Sequence, residues 1–166
     1  MFTSRKPDPI APGQESVWDY PRPPAIRPNT AEILVELGGV TICTTRSGWQ
    51  VLETSHPPTF YLPRSDFLDG ALVPTGGQSV CEWKGVSSYL DVVGGDRVAR
   101  RAAWYYPQPS PRFVDLAGHV ALYAAAMDRC LVDGELVTPQ PGGFYGGWIT
   151  SAVAGPFKGI PGSQGW

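Results

Sequence analysis

Ile33-Leu-Val-Glu-Leu-Gly38-Gly39-Val-Thr-Ile-Cys-Thr-Thr45 decides the fold. Two apolar, β-branched runs flank a glycine pair, and glycine is the residue that takes positive φ at both central positions of a tight hairpin turn. The stretch predicts two antiparallel strands. The signal recurs twice: residues 86 to 93 and 97 to 106 flank Gly94-Gly95-Asp96, and Asp133-Gly134 separates Cys130-Leu131-Val132 from Glu135-Leu136-Val137. Three hairpins imply an antiparallel sheet system. Pro63-Arg-Ser-Asp-Phe-Leu68 and Pro111-Arg-Phe-Val-Asp-Leu116 read as one- or two-turn helices that open on proline. His119 to Met127 carries both signals, alanine for helix and length for strand. Strand is the expectation.

Working outward, 166 residues with 42% hydrophobic content fill one core and are short for two. Twenty glycines and 18 prolines favour many short elements over a few long helices, so the class is mainly β. Residues 1–30 read as a proline-rich arm, with Pro7, Pro9, Pro12, Pro21, Pro23, Pro24 and Pro28 removing backbone donors, and no regular structure is expected before about Ala31. Val17, Trp18 and Tyr20 are expected to staple that arm to the domain. Residues 31–137 form the core domain. In residues 138–166, Phe144, Tyr145, Trp148, Phe157 and Trp166 are too aromatic for a flexible linker. That extension is expected to pack on the core or on a second copy, which would make a homo-oligomer.

A net charge of −2 with no basic stripe argues against a nucleic-acid partner. Met1 to Gln14 has prolines where an export signal carries an apolar run, and no stretch of about 18 apolar residues offers a membrane span. Cys43, Cys81 and Cys130 are odd in number and widely spaced, which suits reduced thiols in a cytoplasmic protein. With no Cys-x-x-Cys pair and only His56 and His119 besides, no metal is expected. No cofactor is expected either, because no dinucleotide fingerprint follows a strand, and no Gly-x-Ser-x-Gly elbow supports serine hydrolysis.

Chemistry concentrates in Glu53-Thr-Ser-His-Pro-Pro-Thr-Phe-Tyr61. The paired prolines force the residues before them into extended conformations, which fixes the angle at which His56 leaves its strand. As a strand, the segment puts Glu53 and Ser55 on one face. His56 beside a carboxylate is then a candidate general base or acid; the alternative is that His56 and Ser55 cap the turn into Pro57-Pro58. In Cys81-Glu-Trp-Lys84, strand alternation would keep the thiol and the ammonium on opposite faces, which favours a structural Cys81 over a nucleophile. Lys84, followed by Gly85, can hold an anionic group or be a solvated strand lysine. Tyr61, Tyr89, Trp104, Tyr105 and Tyr123 either fill the core or wall a pocket for a flat ligand. Arg97, Arg100 and Arg101 read as a solvated edge that discourages strand addition, with an anion site as the minor alternative.

Several ordered blocks resemble one family: Ser16-Val-Trp-Asp-Tyr-Pro-Arg-Pro-Pro24, Leu52 to Pro63, Cys81-Glu-Trp-Lys-Gly85, Ala103-Trp-Tyr-Tyr-Pro107, Gly118-His-Val-Ala-Leu-Tyr123 and Val132-Asp-Gly-Glu135. The chain is similar to the domain of unknown function 427 family over roughly residues 16 to 137. The resemblance implies a single antiparallel β-tent-like domain, related to methionine sulfoxide reductase B and the thalidomide-binding domain of cereblon, here with one or two short helices and extended N- and C-terminal arms. Those relatives bind zinc through two Cys-x-x-Cys pairs, which this chain lacks, so the metal does not carry over. The family is sometimes labelled nucleotidyltransferase-like, but the chain has no Asp-x-Asp pair and no phosphate-binding glycine loop.

The combined expectation is a pocket for a small metabolite. Catalysis, if any, falls to His56, Glu53 and Lys84, with Ser55, Tyr61, Tyr89 and Trp104 touching the substrate. The same residues serve equally in a non-catalytic binding module, and a protein-interaction role for the aromatic tail is the third reading.

Overall fold

The computed structural model describes residues 5–166. Strands, numbered in chain order, outweigh helix, and most of them form two antiparallel sheets. The larger runs β2 (Ala25–Pro28), β5 (Trp49–Leu52), β6 (Thr59–Pro63), β10 (His119–Leu122), β9 (Arg97–Tyr105), β8 (Gly85–Gly94) and β7 (Leu72–Cys81). The smaller runs β12 (Glu135–Leu136), β11 (Arg129–Val132), β3 (Ile33–Leu37) and β4 (Val40–Thr45). All three expected hairpins are present, and Gly38 and Gly39 carry φ of 62° and 75° in the first. The two proline-led segments are short 3-10 stretches, Arg64–Asp66 and Pro111–Leu116, the second kinked at Phe113. Among the described residues, no helix is long and apolar enough to cross a membrane.

The sheets close on one another through alternate side chains. Ile33, Val35 and Leu37 of β3 meet Phe60 and Leu62 of β6, Leu90 and Val92 of β8, and Val120 and Leu122 of β10. The intervening residues of the larger sheet, Val51, Tyr61 and Ala121, face the other way and gather with Tyr106, Phe113 and Leu116. One face is thus the main core and the other is free for a site.

Three expectations need correction. Regular structure begins before Ala31, because β2 pairs with β5 as the outermost strand of the larger sheet, and an edge strand tolerates proline on its unpaired side. The arm, whose first four residues lie outside those described, is anchored by Val17, Tyr20, Leu52 and Val153. Second, β10 stops at Leu122, and Ala124–Ala126 turns as 3-10 helix, following the alanine signal over the strand signal. Third, the strand ends at Leu52, so Glu53 and Ser55 do not share a strand face: the chain turns there, His56 N–H donates to Glu53 O, and Ser55 takes φ of 71°.

The C-terminal residues lie across the larger sheet. β13 (Thr138–Pro139) pairs with β14 (Trp148–Ile149), and β1 (Glu15–Ser16) pairs in parallel with β15 (Val153–Ala154). Trp148 enters the main core, stacked on Phe60 at 5.0 Å, while its indole N–H donates to Leu122 O at 3.3 Å.

Candidate functional site

The free face of the larger sheet and the C-terminal segment enclose a cavity of about 310 Å3. Val51, Thr59, Tyr61, Ser87, Tyr89, Trp104 and Tyr106 supply its sheet side; Gln140, Phe144, Tyr145, Gly146 and Lys158 supply the opposite wall. Gly146 seats that wall, because a Cβ there would overlap the Trp104 ring. Six of the seven residues singled out from the sequence line this space: Glu53, His56, Lys84, Tyr61, Tyr89 and Trp104. Ser55 is the exception. It is fully buried behind the cavity, its N–H donates to Val17 O and its carbonyl accepts from Lys158 N, while its hydroxyl has no partner. The turn-capping alternative is absent as well, since neither the Ser55 hydroxyl nor the His56 ring bonds local backbone.

The His56 tautomer follows from Gln140. The Gln140 carbonyl oxygen accepts from Gly147 N–H at 3.0 Å and its amide nitrogen donates to Lys158 O at 2.9 Å, so the amide can face only one way. That nitrogen also donates to His56 Nδ1 at 3.0 Å, which must be an unprotonated acceptor. The ring proton is therefore on Nε2, 3.5 Å from Glu53 Oε2. Burial lowers the His56 pKa to about 4, Lys158, Arg22 and Lys84 push the same way, and Glu53 opposes them. The imidazole is neutral at pH 7, and its Nε2 lies near Glu53 without a hydrogen bond between them. Arg22 holds the same carboxylate oxygen at 3.4 Å.

Lys84 enters from the β7–β8 turn. Residues 82–84 are that turn and not a continuing strand, so the chain reverses and brings Lys84 into the cavity with Cys81, against the separation expected from alternation. Burial, the largest influence, works against the Lys84 charge, while Coulombic attraction to Glu53 and to the ionised forms of Tyr61 and Cys81 raises the pKa on balance. Burial raises the Tyr61 pKa, so that phenol keeps its proton and brings no balancing charge. Among the described residues Lys84 Nζ has no carboxylate within 4 Å; the Tyr106 ring lies 5.9 Å away. Trp104 Nε1 donates to Tyr61 Oη at 3.2 Å and its ring packs on Tyr123 at 4.7 Å, which fixes two aromatic walls. Tyr105 points to the other face, against the main core, under Arg64. No three His, Cys, Asp or Glu side chains cluster as a metal-ligand set among the described residues.

Residues 25–133 match the family described as Domain of unknown function (DUF427). The chain belongs to the DUF427 family. No curated protein matches it. The DUF427 match contains Glu53, His56, Tyr61, Lys84, Tyr89 and Trp104 and ends before Gln140, Tyr145 and Lys158, so the opposite wall lies beyond the matched residues. Sequence reasoning passed over Gln140 and Lys158 and named Tyr145 only as an aromatic of the tail. Gln140 sits 84 positions from the histidine it orients, and its only local mark is a proline on either side.

Proposed function

We propose that this DUF427 domain binds a small organic anion in the cavity between its larger sheet and its C-terminal segment, with Lys84 as the counter-charge. The observation that carries the reading is the Lys84 ammonium, turned into a half-open, aromatic-lined cavity with no carboxylate of the described residues within 4 Å. A half-buried ammonium with no carboxylate at ion-pair distance is incompletely compensated, and an anionic ligand supplies the missing counter-charge. Two of the chain's three lysines, Lys84 and Lys158, line the cavity, while its one carboxylate, Glu53, is engaged by Arg22. Tyr61, Tyr89 and Trp104 supply flat apolar surface for the rest of the ligand. The free thiols Cys43, Cys81 and Cys130 support a cytoplasmic setting. The inward packing of the tail supports its use as a pocket wall over a role in joining subunits or partners.

A second, catalytic reading rests on the chain Gln140–His56–Glu53. Of the two parts expected for His56, base or acid, the Nε2–H tautomer favours the donor. Glu53 then exchanges the proton with the ligand, and Lys84 stabilises negative charge that develops on it. A thermal-shift screen of a metabolite library against wild type, His56→Ala and Lys84→Ala tests both readings, because a ligand of the folded state must stabilise it. Compounds that stabilise wild type and not Lys84→Ala are expected to be anions. Hits that are mainly neutral or cationic contradict the reading. Turnover of a hit, lost in Glu53→Gln while binding persists, separates enzyme from binding module.

A further inference from the structure

A second, more open cavity of about 510 Å3 adjoins the first, and Tyr89, Tyr123, Gln140, Phe144, Tyr145 and Gly146 border both. The larger sheet is irregular at this place on both sides of β8. On β7, residues 75–77 face the single Tyr89, and on β9, residues 100–102 face the single Asp91. Bulges of this kind re-aim side chains. Arg101 sits in the second bulge at φ of 50°, a strained conformation for arginine, held by its N–H donating to Asp91 Oδ1 at 2.8 Å.

The consequence is a positioned guanidinium. Arg101 lies over the Tyr89 ring, 4.5 Å from its centroid, and Tyr89 is itself fixed by its hydroxyl donating to Ser79 Oγ at 2.9 Å. Gly77 approaches so closely that a Cβ would stand 2.9 Å from an Arg101 terminal nitrogen. Asp91 is spent on the Arg101 backbone and on Arg100, so among the described residues the Arg101 guanidinium has no carboxylate within 4 Å. Arg97, on the same strand, lines neither cavity.

Resting on the anion-binding reading of Lys84, we propose that the outer cavity is a second anion subsite centred on Arg101. The ligand is then an elongated molecule with an acidic group, carboxylate or phosphate, at each end and an apolar or aromatic middle that passes Phe144 and Tyr89. A planar, stacked guanidinium suits the forked geometry of either anion.

Calorimetric titrations with two probe series test this: phenylalkanoates from phenylpropionate to phenylhexanoate, and the same compounds carrying a second carboxylate para on the ring. At one chain length the dianion is expected to bind wild type at least about tenfold more tightly than its monoanion, the ratio expected of one added charge-assisted pair. Arg101→Met should remove that preference, Arg101→Lys should restore part of it, and Arg97→Met should retain all of it. Thermal melts confirm that each variant is folded. If dianion and monoanion bind alike at every length while both are weakened by Lys84→Met, the outer subsite is refuted and the inner site stands. If Arg101→Met keeps the preference, the subsite is refuted too. If neither series binds wild type, both readings fall.

Discussion

The two faces of the larger sheet are built from the same strands and have opposite chemistry. Along β6, Phe60 and Leu62 point into the main core, while Thr59 and Tyr61 point into the cavity. The core face is apolar and close-packed, and its thiols Cys43 and Cys130 are both pushed up to about 12 by burial. The cavity face holds Glu53, His56, Lys84 and Cys81, with a C-terminal wall in place of a second sheet. The difference teaches that the alternation of a strand assigns one set of residues to stability and the next set to the site.

Adjacent substitutions in β6 should therefore act on different properties. Phe60→Ala removes the partner of Trp148 and is expected to cost ~3–5 kcal/mol in urea unfolding. Tyr61→Phe, one residue on, deletes only the hydroxyl that accepts from Trp104, a loss of about 1 kcal/mol, yet should weaken binding of an anionic ligand several-fold. Equal destabilisation by the two would break the contrast.

Acid should find the cavity face first. The unfolded His56 takes its proton near 6.5, whereas the folded ring resists until about 4, so the unfolded state binds more protons between those values. Stability contributed by the neutral ring is complete above pH 6.5 and is lost as pH falls toward 4, by at most ~3 kcal/mol. His56→Asn, which keeps an acceptor for Gln140 but cannot titrate, should flatten the stability profile in this window. Glu15 and Glu36, each lowered from 4.5 chiefly by a hydrogen bond from arginine, act below that value and set the remaining slope. A His56→Asn profile as steep as wild type contradicts the assignment.

How much of this was legible follows from where each interaction is made. The hairpins, short helical turns and mainly β class were readable because turn glycines and β-branched runs act locally. Six cavity-lining residues were readable because the polar segment 53–61, Lys84 and the strand aromatics stand out in type. Their geometry was not. Ser55 was misplaced because its turn is fixed by distant backbone, Val17 O and Lys158 N, and Lys84 because residues 82–84 carry no glycine to announce a turn. Gln140 and Lys158 act on His56 across the fold, and Arg101 is set apart from Arg97 by a bulge that no local sequence mark announces.

Thiol chemistry sharpens the contrast at a smaller scale. Alkylation of the native protein by iodoacetamide, mapped by mass spectrometry, should modify Cys81 at least about tenfold faster than Cys43 or Cys130, equivalent to ~1.4 kcal/mol in barrier. Comparable rates at all three would mean that the main core opens as readily as the cavity. The smallest effect is at Ser55, where glycine relieves the positive φ and removes the unpaired buried hydroxyl. Ser55→Gly is expected to stabilise the fold by about 1 kcal/mol, and a loss of stability would show that the hydroxyl has a partner in solution.

The most direct measurement is a calorimetric titration of phenylbutyrate into wild type, Lys84→Met and Lys6→Met. The account predicts one-site binding to wild type and to Lys6→Met, with affinity at least about tenfold lower in a folded Lys84→Met. Undiminished binding to Lys84→Met, or no binding to wild type, would contradict it.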